Sequence, residues 1–306
     1  MLMLWLILCA ITAFCYSLNA FFDNYLTDEV FQKRKPQSIK VFNGIAYLLI
    51  AVLLTTFFGI KSLDLPSIGL IMLAGVLTSI ASVPYYLGLR SEEATGAAIF
   101  YQVSPIIYLL ADFFIFGRVI TTQQIIAFIV IFLAPIIIIF SRKRAQSRRG
   151  EIKAAMQFLI YIVLVTISGI ITTRVGEGND FVTIFIYFLL GRGISDTALC
   201  CLNKSWRDRF DSVLHKHPVK LLGVCAANQL MCIIAEAAMR YALIIGSAAL
   251  VSVTSNSLEL ILTFVMGIVL SIIWPKFGRE KLSRHIVLAH LIATTLAVVG
   301  IVMLQF

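Results

Sequence analysis

The chain has 306 residues, of which 60% are hydrophobic and 13% charged, with a mean hydropathy of +0.95 and a formal net charge of +9. Soluble domains run at roughly 45–50% apolar and about 25% charged residues, so a water-soluble core of this length is excluded. The positive balance is no nucleic-acid signature, because the basic residues sit in short connections between apolar runs, where membrane orientation already accounts for them.

Ten apolar runs follow one another, at 3–22, 39–60, 66–89, 94–116, 120–141, 154–173, 181–202, 219–243, 247–274 and 286–305. About 20 apolar residues span a hydrocarbon core as a helix, and unpaired backbone is costly in lipid, so the expected fold is all-α, a polytopic bundle of ten transmembrane helices. The first run begins next to Met1 without a basic lead or a small-residue cleavage site before Asp23, and is expected to be retained. At its end Asn19 and Asp23 stand four residues apart, a gate contact or a helix end. In the fourth run Tyr101, Gln102 and Ser104 flank Pro105, which removes a backbone donor and frees a carbonyl. Asp112 follows two turns later.

The most polar stretch, Ser141 to Lys153, falls at mid-chain and divides the sequence into halves 1–145 and 146–306, five runs in each. In the seventh run Arg192 and Asp196 have the spacing of a self-neutralising pair, although a guanidinium also suits an anionic solute group. Between runs seven and eight Trp206, Phe210, Val213 and Leu214 recur at helical spacing, the pattern of a short helix lying beside the headgroups. Glu236 and Arg240 repeat the four-residue spacing in the eighth run. Glu259 lies near the middle of the ninth, beside Thr254, Ser255, Asn256 and Ser257. A charge at the bilayer centre costs about 2.5–3.5 kcal/mol on insertion scales, so each of these positions needs a partner or a function. Glu259 and Asp112 are the candidates for titrating or solute-coordinating groups, with Arg192, Glu236, Tyr101, Gln102, Ser104 and Asn256 beside them. The aromatic residues are expected mainly at lipid-facing and packing positions, with Trp5 and Trp274 as interfacial anchors.

Twenty basic residues, Lys40 and Arg90 among them, fall in connections that follow odd-numbered runs, and four (Lys61, Arg118, Arg174, Arg240) on the other side. By the positive-inside rule the first set is cytoplasmic and both termini are external, in the plasma membrane. The six cysteines all lie inside apolar runs and form no disulfide framework. No phosphate loop, HExxH, GxSxG or nicotinamide glycine fingerprint occurs, so no catalytic residue, metal or cofactor is expected.

A shift of 150 residues sets Arg90 on Arg240, Gly96 on Gly246, Ala98 on Ala248, Val103 on Val253 and Ser104 against Thr254. Five runs per half is an odd number, so two such copies would enter the membrane with opposite sense, as inverted repeats. The segment Tyr85 to Arg90, followed by Ala94-Thr95-Gly96-Ala97-Ala98, Ser104-Pro105-Ile106 and Gly117-Arg118, resembles the EamA-type domain of the drug/metabolite transporter superfamily. Ala238 to Ala242, Gly246 to Ala249 and Gly278 to Leu282 are similar to a second copy. Arg118 stands where the family usually has Glu, whereas Glu280 sits near the matching place in the second half.

The resemblance implies a ten-helix carrier whose central cavity is built mainly by helices three, four, eight and nine and which moves small organic solutes. The expected function is therefore secondary transport of a small metabolite or drug-like solute by alternating access, with proton coupling through Glu259 or Asp112. Alternatives are a flippase for a lipid-linked sugar and an intramembrane enzyme. The expected partners are a small-molecule substrate and membrane lipids, with no nucleic acid; the chain is a monomer or a homodimer.

Overall fold

The computed structural model describes residues 2–90, 101–117, 121–141, 148–274 and 284–303. Among them the regular elements are helices, with no strand. In chain order they are α1 (Leu2–Tyr25), α2 (Lys40–Phe58), α3 (Leu65–Gly88), α4 (Ser104–Phe114), α5 (Thr122–Ser141) and α6 (Arg148–Gly176), then α7 (Phe181–Leu202), α8 (Lys204–Lys216), α9 (Pro218–Ile245), α10 (Ala248–Ile273) and α11 (Arg284–Met303). Seven described helices are long and apolar enough to cross a membrane, namely α1, α2, α3, α6, α7, α9 and α10. The fourth expected span is described only from Tyr101, where a 3-10 turn, Tyr101–Val103, leads into the 11-residue α4. The Ala94 to Ala98 motif, Arg118, and Gly278 to Glu280 lie outside the described residues.

Local chemistry sets the helix ends. Asp64 and Asp180 cap α3 and α7 by accepting from the backbone N–H of Ser67 (3.1 Å) and Thr183 (3.0 Å), each satisfying a donor that has no partner inside the helix. Gly59, at φ 73°, ends α2 in a conformation that costs glycine little.

The burial pattern inverts that of a soluble protein. Asp23, Lys40, Arg192, Asp196, Glu236, Arg240 and Glu259 are buried, whereas Ile45, Leu49, Val52 and Phe57 form an outward apolar stripe on α2. In water such surface is a liability; in a bilayer it is the favourable one, with charges facing the bundle interior.

Packing is by pairs. α1 lies on α9 and α10, α2 on α7, α3 on α6 and α7, α4 on α10 and α6, and α5 on α11. The α3/α7 crossing is backbone against backbone, because a Cβ on Gly75 would meet the carbonyl of Phe188 and one on Gly191 the backbone of Met72. Two apolar clusters occupy opposite ends of the bundle. One joins Leu26, Phe31, Leu89, Phe158, Phe210 and Leu221, and the other joins Cys9, Tyr108, Leu243 and Val251.

Two expectations change here. The amphipathic helix is present as α8, but its stripe turns onto the chain itself: Phe210 and Val213 are buried in the first cluster, and Arg209 donates to the Phe31 carbonyl at 2.8 Å. Lys40 and Arg240, counted by sequence as connection charges, are buried within α2 and α9. The charge bias survives the loss of one residue from each side, but Arg240 no longer serves as an external mate to Arg90.

Candidate functional site

Between the two apolar clusters lies a cavity of about 120 Å³, lined by α1, α2, α3, the Tyr101 turn, α4, α6, α7, α9 and α10. Helical spacing makes its wall: Tyr16, Asn19, Ala20 and Asp23 face inward from α1, and Asn228, Gln229, Cys232, Glu236 and Arg240 from α9. Its partners on α6 run from Tyr161 to Gly169, and α10 supplies Asn256 and Glu259.

An ion network crosses one wall. Arg192 of α7 donates to Glu236 at 2.6 Å, and Arg240, one turn along α9, donates to the second oxygen of Glu236 at 3.0 Å. Arg240 also reaches the hydroxyls of Thr172 (2.5 Å), Ser168 (3.1 Å) and Thr78 (3.3 Å), so one guanidinium ties α9 to α3 and α6. The Tyr47 and Phe188 rings cover Arg192 and Arg240 at 4.3 and 3.4 Å from their centroids. A buried charge with this many partners holds its position. Glu236 and Arg240 thus pair as their spacing suggests, but Arg192 and Asp196 do not. Asp196 is taken by Lys40 of α2 at 2.5 Å, and the Ser79 hydroxyl donates to the same oxygen at 2.5 Å.

Asp23 and Asn19 are no helix end, since α1 continues to Tyr25 and into a π turn, Leu26–Val30. Asp23 accepts from the hydroxyls of Tyr85 and Tyr86 (3.0 Å each) and from the Asn228 amide (2.9 Å). Asn19 in turn donates to the Asn228 side-chain oxygen at 2.6 Å. The gate candidates and α9 therefore form one chain of hydrogen bonds across α1, α3 and α9.

Glu259 differs from both. It is 4% exposed and lines the cavity, yet no described side chain or backbone N–H bonds its carboxylate. The contact to this residue from α1, Ser17 Oγ at 3.2 Å, goes to its backbone carbonyl. The carbonyl that Pro105 leaves without a helical donor is that of Tyr101, and it accepts from Asn256 (2.8 Å) and the Ser104 hydroxyl (3.0 Å). Tyr101, Ser104 and Asn256 thus all line the cavity. Gln102 has its backbone in the 3-10 turn, and its side chain lies outside the described residues.

Asp112 stands apart. It is absent from the cavity wall and accepts from the Ser247 hydroxyl (2.8 Å) and the Ala249 N–H (2.9 Å), at the N-terminus of α10. There the helix dipole and an unpaired N–H favour a carboxylate, a structural use of the charge.

Sequence reasoning missed most of the wall. Tyr16, Tyr85, Tyr86, Tyr108 and Tyr161 join Tyr101 in it, where aromatics were expected mainly in packing and lipid-facing places. Helices one and six contribute as much as those singled out by the resemblance. Asn43 Oδ1, Thr166 Oγ1, Arg192 Nε and Gln229 Nε2, all on lining residues, are buried without a partner among the described residues. A polar guest in the cavity could meet these four atoms.

No curated protein matches this chain. A crystal structure of a protein 15% identical to it superposes with a TM-score of 0.60, covering 99% of this chain and 92% of that one, a likeness of fold. The model of the EamA-like transporter family matches residues 3–140. Together with apolar helices that bury their charges inward, this makes residues 3–140 similar to the EamA-like transporter family, part of the drug/metabolite transporter superfamily, and supports a multi-pass membrane transporter.

Proposed function

We propose that this chain is a secondary carrier of a small solute, built as ten spans in two inverted halves, 1–145 and 146–306, which rock about the central cavity. Numbering the spans in order, with α9, α10 and α11 as eight, nine and ten, several packings support a two-fold exchange of halves, although span three packs on seven far more extensively than eight on two. Span one meets eight and nine as span six meets three and four, and spans two, four and five each meet their own mates seven, nine and ten. Inverted repeats of this kind support alternating access, in which a midplane site opens first to one side and then to the other.

The observation that carries the reading is the cavity itself, walled by helices of both halves and stopped at each end by an apolar cluster. Rocking the halves would open the cluster at one end while that at the other stays packed. The charge bias supports cytoplasmic basic connections and external termini in the plasma membrane.

Coupling to protons falls to Glu259, because Asp112 is engaged at the start of α10 while the Glu259 carboxylate is unpartnered among the described residues. The test is uptake of a labelled metabolite mixture by proteoliposomes holding the full chain. Accumulation driven by a pH gradient is expected, and Glu259→Gln should lose that drive. No uptake over empty liposomes overturns the carrier; uptake indifferent to the gradient overturns the coupling. Retention of a polyprenyl lipid by the purified protein, without uptake, would replace the carrier reading with that of a flippase.

A further inference from the structure

The cavity is not balanced in charge. Asp23, Glu236 and Glu259 face it with Arg192 and Arg240. Both arginines are spent on Glu236, one on each oxygen. Asp23 accepts hydrogen bonds from three neutral donors, the Tyr85 and Tyr86 hydroxyls and the Asn228 amide. Of the two carboxylates that neither arginine meets, Glu259 has no hydrogen-bond donor among the described residues either, and in a low dielectric it must be met by whatever enters.

Its surroundings narrow the guest. Glu259 lines the same cavity as Tyr101 and Tyr161, and Asn256, one turn before it on α10, donates to the Tyr101 carbonyl. Those two rings lie 5.6 Å apart, Tyr161 and Tyr85 5.0 Å, and Tyr85 and Tyr86 5.2 Å, forming a continuous aromatic wall from the side of Glu259 to that of Asp23. Ring faces attract cations, and phenol oxygens accept from ammonium N–H groups. An anion would meet these faces, an unpaired carboxylate and two arginines whose charge is shared with Glu236, with Arg192 Nε a guanidinium N–H there without a partner among the described residues.

Resting on the carrier reading above, we infer that the solute carries a single positive charge, a small primary ammonium compound whose cation sits between Glu259 and the Tyr101/Tyr161 rings. The unsatisfied amide atoms Asn43 Oδ1 and Gln229 Nε2 would take a polar group at its other end. A proton and this ammonium group then satisfy the same carboxylate in turn, which couples their movements by competition.

Three probes of one shape separate charge from size: 2-phenylethylammonium, neutral 2-phenylethanol and anionic 3-phenylpropanoate, titrated calorimetrically against the full chain in nanodiscs. The amine is expected to bind at least about tenfold more tightly than the alcohol, and the acid not at all. Glu259→Gln should lose at least that factor, while Glu259→Asp, which keeps the charge, should retain amine binding and show that the cavity is intact. Equal binding of the three, preference for the acid, amine binding untouched in Glu259→Gln, or no binding of any probe would each overturn the cation assignment. None of these touches the carrier reading, which stands or falls on uptake of the metabolite mixture.

Discussion

Asp196 and Glu259 are carboxylates of nearly equal burial, 2% and 4% exposed, in helices of the same bundle, yet their surroundings are opposite. Asp196 sits in the α2/α3/α7 seam with the Lys40 ammonium and the Ser79 hydroxyl on one oxygen, beside glycine crossings that let backbones touch. Glu259 faces a cavity with aromatic neighbours and no counter-ion among the described residues. The seam has the chemistry of a region that does not move, since every charge has a partner inside the protein. The cavity has the chemistry of a region that is completed from outside.

The largest effect expected from this contrast is in the seam. Asp196→Ala strands the Lys40 ammonium, itself 0% exposed, and should cost about 3–5 kcal/mol of stability, read as a fall in the unfolding midpoint in nanodiscs. Replacing both partners, Lys40→Met with Asp196→Leu, should recover most of that loss, because an apolar pair of similar volume often substitutes for a buried ion pair. A double variant as unstable as the single one would mean that the pair does more than neutralise itself. Next comes Gly191→Ala, whose methyl would strike the Met72 backbone and force α3 and α7 apart, at about 1–3 kcal/mol. Glu259→Gln is expected to behave in the other sense, with no fall in the midpoint and a rise of about 1 kcal/mol, because it removes a charge that nothing offsets. A marked loss of stability would place Glu259 with Asp196, as a structural group.

How far the sequence carries toward this picture depends on whether a feature is local. Apolar run length is local, and the expected spans at 66–89 and 181–202 meet helices Leu65–Gly88 and Phe181–Leu202 whose aspartate caps are visible in the chain. Pairing is not local. Spacing along one helix proposes Arg192 with Asp196, whereas the partners that win, Glu236 and Lys40, come from α9 and α2 and are separated from them by 44 and 156 residues. Lys40 misleads for a related reason, since at the first turn of α2 it looks like a connection charge, and its burial is decided by α3 and α7. The tyrosines left one signal unread: Tyr16 and Tyr161 lie well inside their runs, away from the interfaces where aromatic belts form. Glu259 and Asp112 look equivalent by sequence, two carboxylates in the matching spans four and nine. They are told apart by whether the N-terminus of another helix lies within reach, and at Asp112 it does.

The smallest effect sharpens the contrast by taking the same chemistry out of the bundle. Lys61 and Asp180 also meet at 2.5 Å, but Lys61 is 72% exposed and the pair lies at the start of α7, outside the spans. The Lys61 ammonium and the Thr183 hydrogen bonds hold the Asp180 carboxyl below its ordinary range. A depressed carboxyl stabilises the fold above its unfolded value, near ~3.9, and that contribution is lost as the pH falls through the folded value. Because water and salt screen it, Lys61→Ala should cost no more than about 1 kcal/mol at neutral pH, and less in 1 M salt, where the Debye length is about 3 Å. The deficit of Asp196→Ala should not change with salt, since no ion reaches a pair 0% and 2% exposed. If salt reduced both deficits alike, the seam would be open to water, and the division between a sealed seam and a cavity completed from outside would fail at its sealed side.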